Sequence, residues 1–154
     1  MKKIIFALIF LGILSCGKTE EPSISPTLLI GKWKDIGYVE KFTVTENGKN
    51  TIINNSIPGS SEIVEFNNDG TVDYYGNAFK YSISGSTLTF SNSSITYDYK
   101  IAKADGKTLV LTFTKDQFYK HLPSIYDLKD AEYIDYQNKK SKITAFEYSE
   151  SFVK

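Results

Sequence analysis

The sequence predicts an all-β domain, an up-and-down antiparallel β-barrel of about eight strands, behind a signal peptide and a short tether. Three observations lead there. Apolar and polar residues alternate with period two over most of the chain beyond residue 31. The alternation breaks at clusters of Gly, Asn, Asp and Ser. The chain opens on an apolar run that ends at its only cysteine.

Lys2 and Lys3 precede an almost unbroken apolar run from Ile4 to Leu14. A membrane span needs ~20 such residues, so the run is too short to cross, and its flanks are those of a secretory signal. The residues Ile13-Leu14-Ser15-Cys16 resemble the lipobox of bacterial lipoproteins. The resemblance implies that residues 1–15 are removed and that Cys16, lipid-modified, becomes the first mature residue. The bland alternative is an ordinary signal peptide with an incidental cysteine. A lone thiol builds no disulfide framework, however, and has little other use in an exported chain. Glu20 and Glu21 resemble the acidic export signals of some surface lipoproteins of Gram-negative bacteria, and solvated tether residues explain them equally well. The expected location is the cell envelope, in the outer membrane, facing the periplasm or the surface.

Residues 16–27 read as a flexible tether. Gly17 to Thr27 holds Pro22 and Pro26, two serines and no aromatic residue, too little apolar surface to order itself. At ~3.3 Å per residue such a segment reaches on the order of 35 Å. Residues 28–154 are then one domain of ordinary size. Losing Lys2 and Lys3 leaves sixteen lysines against eighteen acids, a net charge of −2, and the chain has no arginine. Nucleic-acid binding needs a clustered cationic face, and phosphate clamps favour arginine; neither is supported.

The first strand is expected over about 32–44. Six more follow as "IVEF", "TVDYY", "FKYSIS", "TLTFS", "ITYDYKI" and "KTLVLTF", with a last one near 142–149. Ser124 could cap a helix in "PSIYDLKDAEYIDYQ", residues 123–137, whose tyrosines suit a strand as well. "LLIGKWK" stands at the head of the domain, and its Gly31-Lys32-Trp33, opening the first strand, resembles the G-x-W motif of the lipocalins. The resemblance covers residues 28 to about 114. It implies a lipocalin-like barrel with Trp33 packed at its closed end, where the family places a late arginine over the ring. Without arginine the closure must differ, and a lysine is one candidate for that place.

In an up-and-down barrel alternate connections share an end. The tight turns at Asn68-Asp69-Gly70, Ser84-Gly85-Ser86 and Ala104-Asp105-Gly106 therefore belong together, at the Trp33 end. The long connections Thr45–Ser61 and Lys115–Ser141 belong at the other, which can hold a mouth and a lid. Parity points Tyr38, Phe42, Tyr74, Phe79, Tyr81, Tyr97 and Phe113 into the middle and upper lumen, with Phe42, Phe79, Tyr97 and Phe113 near the entrance. Such rings either fill the barrel or line a cup for one small lipophilic or aromatic ligand.

Glu40 shares the inward parity and is the only carboxylate expected to do so. The cost of burying it favours a wet place near the mouth, or an outward turn through a bulge near Gly37, over pairing with Lys115. "NNDGTVD" lacks the closing glutamate of a calcium loop, Gly76 standing there instead. His121 is the only histidine, so a His-rich zinc site has no ligands, and no G-x-S-x-G elbow exists. No metal, cofactor or enzymatic chemistry is expected. Two functions remain: a membrane-anchored ligand-binding barrel, or an interaction module with a filled core that presents its loops to a partner protein or glycan.

Overall fold

The computed structural model describes residues 23–125 and 128–154. The expected signal peptide 1–15, the lipid site Cys16, the tether up to residue 22 and Tyr126 lie outside the described residues. Among the described residues there are nine strands: β1 (Gly31–Glu46), β2 (Lys49–Pro58), β3 (Ile63–Phe66), β4 (Thr71–Tyr74), β5 (Asn77–Ser84), β6 (Thr87–Ser91), β7 (Thr96–Ala104), β8 (Thr108–Phe113) and β9 (Ile143–Val153). Every strand pairing is antiparallel. β3 to β9 pair in chain order, and β1 closes the ring by pairing with both β3 and β9. Eight strands thus form a closed up-and-down barrel, and β2 is an addition to it.

β1 serves two partners along one edge. Its start, Gly31 to Lys34, pairs with β3, while Gly37 to Glu46 pairs with β2. The expected long loop Thr45–Ser61 is therefore no loop. Asn47 (φ 50°) and Gly48 (φ 73°) make the tight left-handed turn that matches strand twist, and β1 and β2 extend the wall as a hairpin. At its base β2 hands over to β3 through a pinned crossing. The Asp35 carboxylate accepts hydrogen bonds from Gly37 N (2.8 Å), Ser60 N (2.9 Å) and Ser60 Oγ (3.0 Å). Two glycines let the chains meet there. A Cβ on Gly37 would lie 2.3 Å from the Ile57 carbonyl oxygen, and one on Gly59 2.5 Å from that of Asp35.

The three tight turns do share the Trp33 end. Ile24 N bonds Gly85 O at 3.4 Å, Leu28 lies beside Gly106, and Gly31 pairs with Phe66 at the foot of the Asn67–Gly70 turn. Asp105 ties down its turn by accepting from the Thr108 and Lys107 amides. Those bonds, with Lys103, hold its carboxyl down at about 2. The end of the expected tether is docked here. Ile24 packs on the core, and Pro26–Leu28 form a 3-10 turn that leads into buried Leu29.

The opposite end carries the helices. α1 (Lys115–Ile125) and α2 (Ala131–Lys139) fill the long connection before β9. Of the segment 123–137, open between helix and strand, residues 123–125 end α1 and residues 131–137 lie in α2. Position 124, the expected helix start, lies inside α1, and α2 starts after Asp130.

Candidate functional site

Trp33 is fully buried, and its Nε1 donates to Leu29 O at 2.5 Å. Lys154 takes the covering place. Its Nζ lies 4.6 Å from the ring centroid and donates to the carbonyls of Ile30 (2.7 Å) and Leu28 (3.3 Å). A cation over an indole face is attracted by the ring quadrupole, so a lysine replaces the guanidinium expected of a lipocalin.

Above Trp33 the lumen is filled by touching rings. Phe66 meets Phe90 at 5.8 Å, Phe90 meets Tyr99 at 5.1 Å, and Tyr99 meets Phe113 at 4.5 Å. The chain continues to Tyr148 (4.9 Å) and then to Phe118 of α1 (5.8 Å). Two apolar clusters result. The larger spans the barrel from Leu29 and Trp33 to Tyr97 and Leu111. The smaller joins Phe42, Val44 and Ile143 to Phe118, Tyr119 and Tyr136 of the helices, and Phe113 touches both.

The sequence-predicted site residues separate accordingly. Phe42 packs on Tyr136 (6.2 Å) under the helices, and Tyr38 stacks on Tyr148 (5.5 Å). Tyr74 and Phe113 lie against Tyr99 in mid-barrel. Phe79 and Tyr97 face each other at 5.7 Å within the larger cluster. Tyr81 is not in the upper lumen. It lies edge-on to Phe66 at 5.1 Å, and its hydroxyl donates to Asn67 O in the tight turn at the closed end.

Glu40 points inward and is 2% exposed. The bulge near Gly37 exists, but it falls before Tyr38, so Tyr38, Glu40 and Phe42 keep one parity. What holds the carboxylate is neutral. Asn55 Nδ2 donates to it at 3.1 Å and the Tyr136 hydroxyl at 2.8 Å. Lys115 does not reach it; its ammonium donates to Lys140 O and Ile143 O.

Glu150 is a second inward carboxylate that the sequence reading missed. The last strand runs on to Val153, and Phe146, Tyr148, Glu150 and Phe152 continue its inward parity. The Tyr74 hydroxyl donates to Glu150 at 2.7 Å and that of Tyr75 at 2.5 Å. Burial pushes the Glu150 carboxyl up to about 7, against the pull of the two phenols and with a push from Asp35. Burial also raises Tyr74, Tyr99 and Tyr148, and the Glu150 charge raises them further. Tyr75 reaches Glu150 from the turn after β4, where its own backbone is left-handed (φ 52°).

No group of three or more His, Cys, Asp or Glu side chains suited to a metal ion occurs among the described residues. No helix among them is long and apolar enough to cross a membrane.

An eight-strand antiparallel barrel with a tryptophan-plugged end and a helix-covered end is a binding-barrel architecture. The chain belongs to the lipocalin-like domain family: the family's sequence model matches residues 29–111, more than half its length. The fold suggests small-ligand binding in general, and the family is typically non-enzymatic. No curated protein and no solved structure matches the chain.

Proposed function

We propose that the protein is a lipoprotein of the cell envelope, held in the outer membrane through lipidated Cys16, whose barrel binds a small lipophilic or aromatic molecule at the end covered by α1 and α2. The observation that carries this reading is the roof. The aromatic cluster of Phe42, Phe118 and Tyr136 is closed on one side by short helices, not by paired strands. Helices held mainly by side chains can part without breaking the strand ladder, so the roof can serve as a lid. Tyr119 OH on Tyr136 O (2.8 Å) is one such contact. Glu40 and Glu150, each taking hydroxyl donors, supply polar points along an otherwise apolar path.

The test is titration of the full-length protein with a neutral apolar fluorophore, in parallel with Tyr97→Ala and Phe113→Ala. Wild type should bind, and Phe113→Ala, which removes the ring that touches both clusters, and Tyr97→Ala should each weaken binding. Binding that appears only in the truncated variants would remove the ligand reading. The anchor has its own test: Cys16→Ser should leave the protein uncleaved or release it from membranes.

A second reading has its own observation. The rings touch from Phe66 to Phe118, as in a filled core, and the outer face of the β1–β2 hairpin exposes Val39 and Ile52. This favours an interaction module presenting the hairpin to a partner protein or glycan, and it stands if no probe binds wild type.

A further inference from the structure

Three buried carboxylates line the seam between β1 and β9, and their surroundings differ. Asp35 takes two backbone amides and a serine hydroxyl. Glu40 takes an amide and a phenol. Glu150 takes two phenols alone, although a carboxylate offers about four acceptor positions. The groups facing it are Asp35 and Tyr38 from β1, Tyr74 and Tyr75 from β4 and its turn, Tyr99 from β7 and Tyr148 from its own strand; β8 brings Leu111 opposite. Every one of these is neutral or acidic. The lysine–carboxylate pairs seen among the described residues are at the surface, and none includes Glu150.

A buried carboxylate without a cation is poorly compensated, and the missing partner is a positive charge. The neighbouring groups suit such a partner. Tyrosine faces attract cations, and Tyr74, Tyr99 and Tyr148 stand around the carboxylate. We propose that Glu150 receives the cationic head of the ligand, which is a small amine with its apolar part among the tyrosine rings. This rests on the ligand reading above. Tyr75 is the group the ammonium displaces. Of the two phenols on Glu150 it alone belongs to a turn, Tyr74 being the last residue of β4.

The experiment compares 1-naphthylmethylamine with its neutral counterpart 1-naphthylmethanol, titrated into the full-length protein in lipid nanodiscs with empty nanodiscs as blank. The amine should bind more tightly than the alcohol at about pH 8.5. Its affinity should fall roughly 30-fold by about pH 5.5, as a carboxyl titrating near 7 takes up its proton, while the alcohol stays level. Glu150→Gln should make the two probes equal and pH-independent. Tyr75→Phe, which keeps the carboxylate and removes its competitor, should tighten amine binding several-fold, and it decides the matter if the glutamine variant fails to fold. Alcohol binding without any amine preference in wild type would overturn this inference and leave the ligand reading intact. An amine preference that survives in Glu150→Gln would overturn it too. If neither probe binds, the ligand reading falls and this inference with it.

Discussion

The two ends of the barrel are built by different means. At the Trp33 end, three tight turns, a docked N-terminal segment and a fully apolar core meet. Backbone-to-backbone bonds tie that end together: Ile24 N to Gly85 O, Ile101 N to Ser86 O and Lys154 N to Lys107 O. At the helical end the ties are largely side-chain ones. Tyr136 reaches across to Glu40, Tyr119 holds the end of α2, and Lys115 bonds Lys140 O and Ile143 O. Backbone ladders open cooperatively, whereas side-chain ties break one at a time. One end is therefore a foundation, and the other can change without dismantling the barrel.

The sharpest way to break this contrast is Trp33→Ala. Removing a fully buried indole should lower stability by ~3–5 kcal/mol in urea unfolding and abolish amide protection throughout the barrel. Phe118→Ala should instead raise amide exchange in 115–139 and leave β3 to β8 protected. Equal exchange in both variants would mean that the two ends form one cooperative unit.

Next in size is the pH dependence that Glu150 imposes between the ends. Its folded carboxyl, raised from 4.5 to about 7, prefers to keep its proton. This stability is complete below about pH 4.5 and is lost as pH rises through 7, a change of about 3 kcal/mol at ~1.4 kcal/mol per unit. Glu150→Gln should remove that slope and be the more stable protein at pH 8 to 9, as read from paired urea curves. A slope that persists in the variant would place its source elsewhere. Tyr136→Phe should cost about 1–3 kcal/mol by taking a donor from buried Glu40, again with the loss confined to the helical end. Smallest is Lys154→Ala, about 0.5–1 kcal/mol for an exposed cation over an indole, with Lys154→Arg restoring it.

The same contrast explains what could be read in the sequence. β3 to β8 were legible because each has one wet and one buried face, so their side chains alternate. The foundation was legible too, from Gly31, Trp33 and the three turns, though not which residue would cover the indole in place of arginine. The β1–β2 hairpin was not. Asn47-Gly48 is the strongest short hairpin signal, but "KNTIINNSIP" after it does not alternate, because β2 is largely exposed and its inward residues are the apolar Ile53 and the polar Asn55. Glu150 was hidden for a related reason. A charge at an inward position breaks the alternation there, so the last strand seemed to stop at Ser149. The helices were obscured by Tyr133 and Tyr136, whose rings suit either a strand or a helix facing an aromatic mouth.

The seam between β1 and β9 also sets a timetable. It is the barrel's longest ladder, and it joins Lys34 to Val153, from opposite ends of the domain. Neighbouring strands can find each other early, but the ring cannot shut until the last strand has been made. Until then β1 exposes one edge and the rings of the lumen lack their far wall. Closing so distant a pair is the slow step of such a fold, so folding should be late, all at once, and sensitive to any delay in β9.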